Sequence, residues 1–280
     1  MKSVRINLLL LKNHSTLNKK EKTSKNKIEE LEEKIIDLSL KLRTKNIELE
    51  EVQKRNKTIL SKLIHNIKNP VGVIFSFSEI MLESAEDYTS DKLKKHAQII
   101  NNSADFSIQF LNSLVNYTQI HSQNFNLNKS SNNYIETVQS AIAFYKETAA
   151  KKNIELYKNF NEKPIFLNID HSEILKVLKA IIHNAIRYSK SNTTVKISIS
   201  LDKKNVTTKI TDQGIGISEV DLPNLFNEFF VVNTYSEDKQ KCIGLSLNLA
   251  NKILKLHNGN IKINSIIEQG TSVSIILPIK

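Results

Sequence analysis

The sequence has few of the residues that cross-link or interrupt a chain: of 280 residues, one is cysteine, six are glycine and four are proline. The single cysteine, Cys242, rules out a disulfide within the chain and a zinc site built on cysteine pairs, and it fits a reducing cytoplasm. Long apolar runs are also missing. The run from Ile6 to Leu11 is broken by Asn7 and falls short of the roughly 20 residues that span a bilayer. No signal-peptide cleavage region follows it, so we expect a cytoplasmic chain with no membrane span of its own.

Basic residues outnumber acidic ones by 40 to 29, which gives a net charge of +11. Over residues 1–60 the numbers are 15 and 9, so +6 of that excess lies in this first segment. A basic surface attracts nucleic acid, anionic membranes or acidic partners. The sequence has no zinc-finger spacing and no Arg-rich segment punctuated by glycine. We therefore expect no nucleic-acid partner.

A long helix is predicted at the N-terminus, because residues 1–69 contain neither glycine nor proline. Apolar side chains in it follow a strict 3-4 spacing, and nine of the eleven positions are Ile, Leu or Val: 28, 31, 35, 38, 42, 45, 49, 52, 56, 59 and 63. A sustained period of 3.5 residues keeps one apolar seam facing a partner helix. A long amphipathic helix lying on its own domain is the alternative. The pattern favours a dimeric coiled coil, and we assign residues 1–57 to a basic segment with such a signalling helix.

A helical hairpin is predicted over residues 58–122. Pro70 removes one backbone hydrogen bond and is expected to kink the helix, but the apolar pattern resumes over residues 73–81. Residues 88–91 predict a turn and an N-cap, and residues 93–114 predict a second helix. Two antiparallel hairpins from two chains would bury their apolar faces as a dimeric four-helix bundle.

From residue 123 to residue 280 the pattern changes to short strands and helices. Strands are predicted near residues 125–129, 153–160, 164–169, 193–202, 205–212, 260–267 and 271–278, and helices near 131–151, 171–189 and 244–257. Pairs of strands between helices predict an α+β sandwich, in which a mixed sheet is covered on one face by helices.

Three motifs in this second domain suit a ligand with phosphate groups. Residues 212–216 read Asp-Gln-Gly-Ile-Gly, where the glycines admit a close ligand and the aspartate offers an acceptor to an exocyclic amine. A tight turn is the alternative interpretation. Asn184 and Arg187 lie on one face of an apolar helix, with an oxygen for Mg²⁺ and a cation for phosphates, unless they are merely exposed at its end. Residues 244–247 begin a helix whose free amides suit phosphate oxygens.

The order of these motifs resembles the ATPase domain of sensor histidine kinases, a GHKL or Bergerat-type α/β sandwich. The resemblance rests on five segments: the Asn184 segment and residues 212–216, 225–230, 244–247 and 270–278. Upstream, His65-Asn66-Ile67-Lys68-Asn69-Pro70 resembles the phospho-acceptor box of the same kinases. The resemblance covers roughly residues 58–280. It identifies the chain as a member of the two-component histidine kinases.

What the resemblance implies is a role for each matching residue. His65 would take the γ-phosphoryl group of ATP, and with Leu63 on the apolar seam it is expected to be exposed. The nucleotide site would consist of Asn184 on Mg²⁺, Arg187 and Tyr188 along the nucleotide, Asp212 on the adenine amine, and Gly214, Gly216, Gly244 and Leu245 shaping the pocket and the hinge of its lid. The phosphohistidine of the homodimer would then pass its phosphoryl group to an aspartate on a response-regulator receiver domain.

The sequence departs from the family in its catalytic box and in its lid. Asn66 stands where a glutamate or aspartate usually accepts the proton of the imidazole, whereas Asn69 matches a position used in dephosphorylating the regulator. In the lid, Gln240 and Cys242 replace two of three glycines. Ala180 replaces the first asparagine of the usual motif. Outside the resemblance, His257 is expected in a helix C-cap.

Two other interpretations follow from these departures. One is a degenerate kinase that acts mainly as a response-regulator phosphatase or docking module, with Asn66 and the altered lid in its favour. The other is a different ATPase of the same superfamily, which would leave the His65 box without a purpose. The kinase is the preferred hypothesis.

Overall fold

The computed structural model describes residues 2–83, 89–122, 125–232 and 242–279. These divide into two units, residues 1–61 and residues 62–280. Three residues of the predicted turn and lid, Tyr88, Gln240 and Lys241, lie outside the described residues. Among the described residues, no helix combines the length and the apolarity that crossing a membrane requires.

The first unit consists of one part of helix α1, which extends over Lys2–Glu83 and so confirms a long N-terminal helix. The seam residues Leu31, Leu38 and Leu42 are more than half exposed in the single chain. Lys45, which interrupts the seam, pairs with Glu48 at 2.6 Å. Exposed leucines in a strict heptad are what a partner helix would cover. Pairing into a coiled coil stays a prediction.

In the second unit, the end of α1 meets helix α2, Ser90–His121. The rings of Phe77 and His96 make an edge contact with centroids 5.0 Å apart. Pro70 is buried inside the helical stretch of α1, and Phe110 of α2 is fully buried. The contact between Phe77 and His96 places the two helices beside each other, as the hairpin prediction requires.

The rest of the second unit is a mixed sheet with helices on one face, as predicted. Its elements are β1 Ser130–Asn133, α3 Tyr134–Phe144, α4 Lys146–Lys151, β2 Glu155–Asn159, β3 Phe166–Ile169, α5 His171–Tyr188, β4 Thr194–Leu201, β5 Asn205–Thr211, a 3₁₀ turn Leu222–Asn224, α6 Ser246–Leu256, β6 Asn260–Ile266 and β7 Gly270–Pro278. The five-stranded sheet has the order β2-β4-β5-β7-β6, in which only the β2–β4 pair is parallel. Strands β1 and β3 form a separate antiparallel pair.

The core lies between the sheet and the helices. Along the strands, residues alternate between the two faces. Ile197, Ile210 and Ile275 are almost fully buried on the inner face, while their neighbours Lys196 and Lys209 point outward and are exposed. Against this inner face, α5 packs an apolar stripe at helical spacing and is held next to α3 and α6.

Two predicted elements were misplaced. The strand predicted at 125–129 has no ladder partner there; the strand follows at residues 130–133, where Ser130 pairs with Ile169. Its alternating sequence was misleading because the Asn128 amide N–H bonds to a side chain, Asp170, at 2.9 Å. The single helix predicted at 131–151 is two helices, because Tyr145 (φ −101°, ψ 4°) leaves the helical conformation.

A buried histidine links the ends of two helices. His257 follows α6 as its C-cap residue, as predicted, and is only 4% exposed. Its Nδ1 lies 2.8 Å from the Ile253 carbonyl, and its Nε2 accepts the Asp170 amide N–H at 3.0 Å. Nδ1 therefore carries the proton and the ring is neutral. Asp170 in turn is the N-cap of α5, so His257 joins the two helices that carry the site described below.

Acidification is expected to destabilise the fold through His257. Burial holds the pKa of His257 below its usual 6.5, so below that pH the unfolded chain binds more protons than the folded one. The free energy of unfolding should therefore fall as the pH decreases from about 6.5 towards the folded pKa. Urea titrations of wild type and His257→Gln at several pH values measure this. A wild-type slope no steeper than that of the variant would contradict it.

Candidate functional site

A cavity of about 400 Å³ opens among the sheet, α2, α5, α6 and the segment before α6. The predicted residues that line it are Asn184, Arg187, Tyr188, Asp212, Gly216, Gly244 and Leu245. These come from three separate parts of the sequence. The structure therefore brings most of the predicted nucleotide residues to one place.

Helix α5 supplies three of these side chains near its C-terminal end. Its apolar stripe, including Ile181, Ile182 and Ala185, is buried, which leaves Asn184, half-buried, on the cavity side. Both ends of the helix are fixed. At the start, the Asp170 side chain accepts the amide N–H of Glu173, as an N-cap does.

The end of α5 is held by a lysine from α4's C-cap. Lys152 Nζ donates to the carbonyls of Ile186 and Arg187, at 3.2 and 3.1 Å. A cation on the last carbonyls of a helix also suits the negative end of its dipole. Lys152 therefore fixes the backbone that carries Arg187 and Tyr188.

Asp212 is a buried carboxylate at the end of β5. Its Oδ1 accepts the amide N–H of Gly214 at 2.9 Å and that of Thr271 at 3.0 Å. Burial raises the pKa of Asp212, while these two hydrogen bonds lower it. Because the amides fix one oxygen, the orientation of the whole carboxylate in the cavity wall is set.

Two glycines of the site are required by the backbone. Gly216 has φ +71°, and a Cβ there would collide with the Ile266 carbonyl. Gly244, the last of the predicted lid glycines, has φ +75°, and a Cβ would lie 2.6 Å from the Phe230 carbonyl. Gly214 does not line the cavity itself; its backbone forms an isolated antiparallel bridge with Ser189. The backbone at Gly216 and Gly244 therefore requires glycine, and the role of the motif in binding a nucleotide stays a prediction.

Cys242 stands where the family usually has glycine, and it contacts Tyr188. The Tyr188 hydroxyl and the Cys242 sulfur are 2.9 Å apart. Burial, and then this contact, raise the pKa of Tyr188 far above its ordinary value, so the hydroxyl is neutral at physiological pH. The side chain that replaces a lid glycine therefore packs on a predicted nucleotide residue.

The residues of the predicted phospho-acceptor box lie elsewhere, on α1. His65 and Asn69 are exposed, Asn66 is half-buried, and none of the three lines the cavity. The Asn69 Nδ2 lies 3.4 Å from both Nδ1 and Nε2 of the imidazole of His65. The exposure of His65 agrees with its predicted place off the apolar seam.

Sequence reasoning missed part of the cavity wall. Lys176 of α5 and three polar residues of α2, Gln109, Ser113 and Asn116, also line it. The sequence offered one signal for the α2 residues, because their 3-4 spacing places them on one face of the helix. That spacing alone does not say which element this face packs against.

Residues 169–280 match the family described as Histidine kinase-, DNA gyrase B-, and HSP90-like ATPase. Two relatives are 25% identical to the chain. The non-motile and phage-resistance protein of Caulobacter vibrioides aligns with 90% of this chain and 30% of its own length. The sensor histidine kinase WalK of Bacillus subtilis aligns with 83% and 38%. The chain thus spans well under half the length of these relatives.

A solved structure has a similar fold over most of the chain. The histidine kinase ThkA, in complex with the response regulator protein TrrA, superposes with a TM-score of 0.66 at 22% identity, covering 81% of this chain and 64% of the other. Residues 169–280 thus carry the sequence pattern of an ATPase domain of the histidine kinase, gyrase and HSP90 type. Over 83% of its length, the chain is similar at 25% identity to a sensor histidine kinase.

Proposed function

We propose that this chain is a histidine kinase core that transfers the γ-phosphoryl group of ATP to His65 and then to an aspartate of a response-regulator receiver domain. The observation that carries the proposal is the cavity that joins Asn184, Arg187 and Asp212. Each comes from a motif of the family, and the exposed His65 lies on a separate helix. ThkA, a structure of the same fold, is in complex with a response regulator, which supports a partner of that class.

The cavity offers complementary groups to the parts of a nucleotide. The fixed carboxylate of Asp212 suits the exocyclic amine of adenine, because it accepts and does not donate. Arg187 and the amides at the start of α6, beside Gly244 and Leu245, suit the phosphates. A site with an acceptor on the sheet side and cationic groups on the helical side favours an adenine nucleotide over a neutral ligand.

The residues present also fit a magnesium ion. Mg²⁺ prefers oxygen ligands and usually binds one or two protein groups together with substrate phosphates. The half-buried Asn184 lines the cavity, and its side-chain amide oxygen is such a group. When bound, the ion offsets negative charge on the phosphate oxygens.

The chemistry at His65 is an in-line displacement. A ring nitrogen attacks the γ-phosphorus, the bond to the bridging oxygen of ADP breaks, and the imidazole loses its N–H proton to solvent or to a neighbouring acceptor. Asn69, 3.4 Å from the ring, can orient the imidazole and fits the family's role in dephosphorylating the regulator. The side-chain amide of Asn66 can orient the imidazole of His65 but is not a base, so we expect slow phosphorylation.

A homodimer completes the proposal. On the hairpin, the exposed apolar residues Val71, Phe75, Leu111 and Val115 are each about half exposed or more in the single chain. Two hairpins would bury such residues in a four-helix bundle, and the exposed seam of α1 would continue it as a coiled coil.

Incubating the whole chain with Mg²⁺ and γ-labelled ATP tests the function. We expect wild type to take up label that is labile in acid and stable in base, as on histidine. In Asp212→Asn the fold should be kept, because an amide oxygen can still accept the two N–H donors. The affinity for ATP should nevertheless fall at least tenfold, because the charged acceptor is lost.

The control is the thermal stability of both proteins, which should agree within a few degrees. Unchanged ATP affinity in Asp212→Asn would contradict the assignment of the adenine site. Wild type that binds no adenine nucleotide would overturn the kinase proposal.

A further inference from the structure

Helix α2 contributes a row of five residues to the wall of the cavity. They are spaced by three and four, and so share one face of the helix: Phe106, Gln109, Ser113, Asn116 and Ile120. The two ends of the row are apolar, and its three middle residues are polar. Ser113 and Asn116 are half-buried there, whereas Gln109 is exposed.

Polar residues are unexpected in the middle of such a row. Partial burial of an amide or a hydroxyl costs free energy unless it gains a partner. A helix that served only to pack would carry apolar residues along the whole face. Departures from the apolar pattern expected of a packed helix face are found most often at functional sites. Asn116, the half-buried amide of the row, therefore indicates contact with a polar ligand, and the exposed Gln109 lies on the same face of α2.

Contacts beside the row hold α2 against the ATPase fold. The hydroxyl of Tyr117 donates to Glu228 Oε1 at 3.1 Å, and its ring lies 6.3 Å from that of Phe229. The ring of His121 stacks on the ring of Tyr117, with their centroids 4.2 Å apart. Glu228 and Phe229 belong to the segment directly before Phe230 and Val231, which line the cavity. Tyr117, next to Asn116 on α2, thus holds the row of cavity residues against the ATPase fold.

The helical side of the cavity is rich in cations and neutral polar groups. Alongside the α2 row it includes Lys176, Asn184 and Arg187 of α5 and Ser246 at the start of α6. Among the described residues that line the cavity, Asp212 is the one carboxylate, and Gly214 and Thr271 fix its orientation. On this helical side the described residues offer N–H and O–H donors and no carboxylate, which suits phosphate oxygens because these only accept hydrogen bonds.

We propose that the side-chain amides of Gln109 and Asn116 bind the polyphosphate chain of the nucleotide. Ser113 lies between them on the same face of α2, and its hydroxyl donates to the backbone carbonyl of Gln109 at 2.8 Å. This inference rests on the proposed function and deepens it. The nucleotide motifs predicted from the sequence all follow residue 180, whereas Gln109, Ser113 and Asn116 belong to the helical hairpin. ATP would therefore be bound by the ATPase domain and α2 together.

The test compares two ligands on the full chain. The dissociation constants of Mg·ATP and of adenosine, which has no phosphate, are measured by isothermal titration. Asn116→Leu should weaken ATP binding about tenfold, the effect of losing one hydrogen bond to a charged group. Adenosine binding should change less than twofold. Asn112→Leu is the matched control, because Asn112 is exposed on α2 and does not line the cavity.

A second variant separates a phosphate contact from a packing effect. Asn116→Asp places a negative charge against the phosphates, so ATP binding should fall further than in Asn116→Leu, and added salt should reduce the difference. The inference is overturned if Asn116→Leu leaves ATP affinity unchanged, or if ATP and adenosine lose equal affinity. Wild type that binds neither ligand overturns the proposed function itself, so the two failures are distinguishable.

Discussion

His65→Ala should bind Mg·ATP as wild type does and yet take up no acid-labile phosphate. The side chain is exposed on α1 and does not line the cavity, so its removal leaves the nucleotide site intact. Alanine is also the most favourable helix residue, and an exposed substitution of this kind should not lower stability. The expected result is thus a complete loss of one activity with binding unchanged. Labelling with γ-labelled ATP and a parallel binding titration measure both quantities.

The matched control is His171→Ala. His171 is another exposed histidine, at the start of α5, where its ring lies 3.0 Å from the Thr137 hydroxyl and outside the cavity wall. It should retain wild-type labelling. If the label persists in His65→Ala and disappears in another histidine variant, the acceptor has been assigned to the wrong residue, although the kinase reaction would stand.

Much of this site was predictable because its chemistry lies in short segments. The Asp-Gln-Gly-Ile-Gly segment carries both the acceptor and the glycine that a φ of +71° at Gly216 requires. Asn184 was conspicuous because it interrupts an apolar helix. His65 was placed as exposed by the register of the seam alone. Each of these inferences needs only a few neighbouring residues and one helical or turn geometry.

The α2 wall of the cavity was not predictable in the same way. Its position depends on a contact between Tyr117 and Glu228, which are 111 residues apart in the sequence. Glu228 belongs to the segment 225–230, one of the five on which the family resemblance rests. Nothing in its neighbourhood indicates that it accepts a hydrogen bond from the hairpin. Such long-range pairs depend on tertiary packing, which local patterns do not specify.

The error in the strand predicted at residues 125–129 has the same origin. Residues 125–129 alternate apolar and polar side chains, with Phe125 and Leu127 half-buried, so their pattern is that of a strand. The groups that bond to this segment instead of a strand are distant in the sequence. The Asp170 carboxylate accepts the amide N–H of Asn128, and the Leu256 carbonyl accepts a hydrogen bond from the Lys129 ammonium at 2.8 Å. A strand exists only where another strand supplies the ladder.

Asn66→Glu should raise the initial rate of His65 phosphorylation by about 10²- to 10⁴-fold, the typical contribution of a positioned general base. Asn66 is half-buried on α1, directly after the acceptor histidine. An amide there can orient the imidazole but cannot accept its proton. A carboxylate can do both, and it also stabilises the positive charge that develops on the ring as the bond to phosphorus forms. The rate is measured at saturating Mg·ATP, so that differences in affinity do not contribute.

Asn66→Gln is the matched control, because glutamine has the length of glutamate without its basicity. Its rate should stay within a few-fold of wild type, which would assign the gain in Asn66→Glu to the carboxylate rather than to side-chain length. If wild type is already as fast as Asn66→Glu, proton removal does not limit the reaction. Since Asn69 contacts the ring but is equally without basicity, water would then have to take the proton, and the departure at position 66 would carry no catalytic cost.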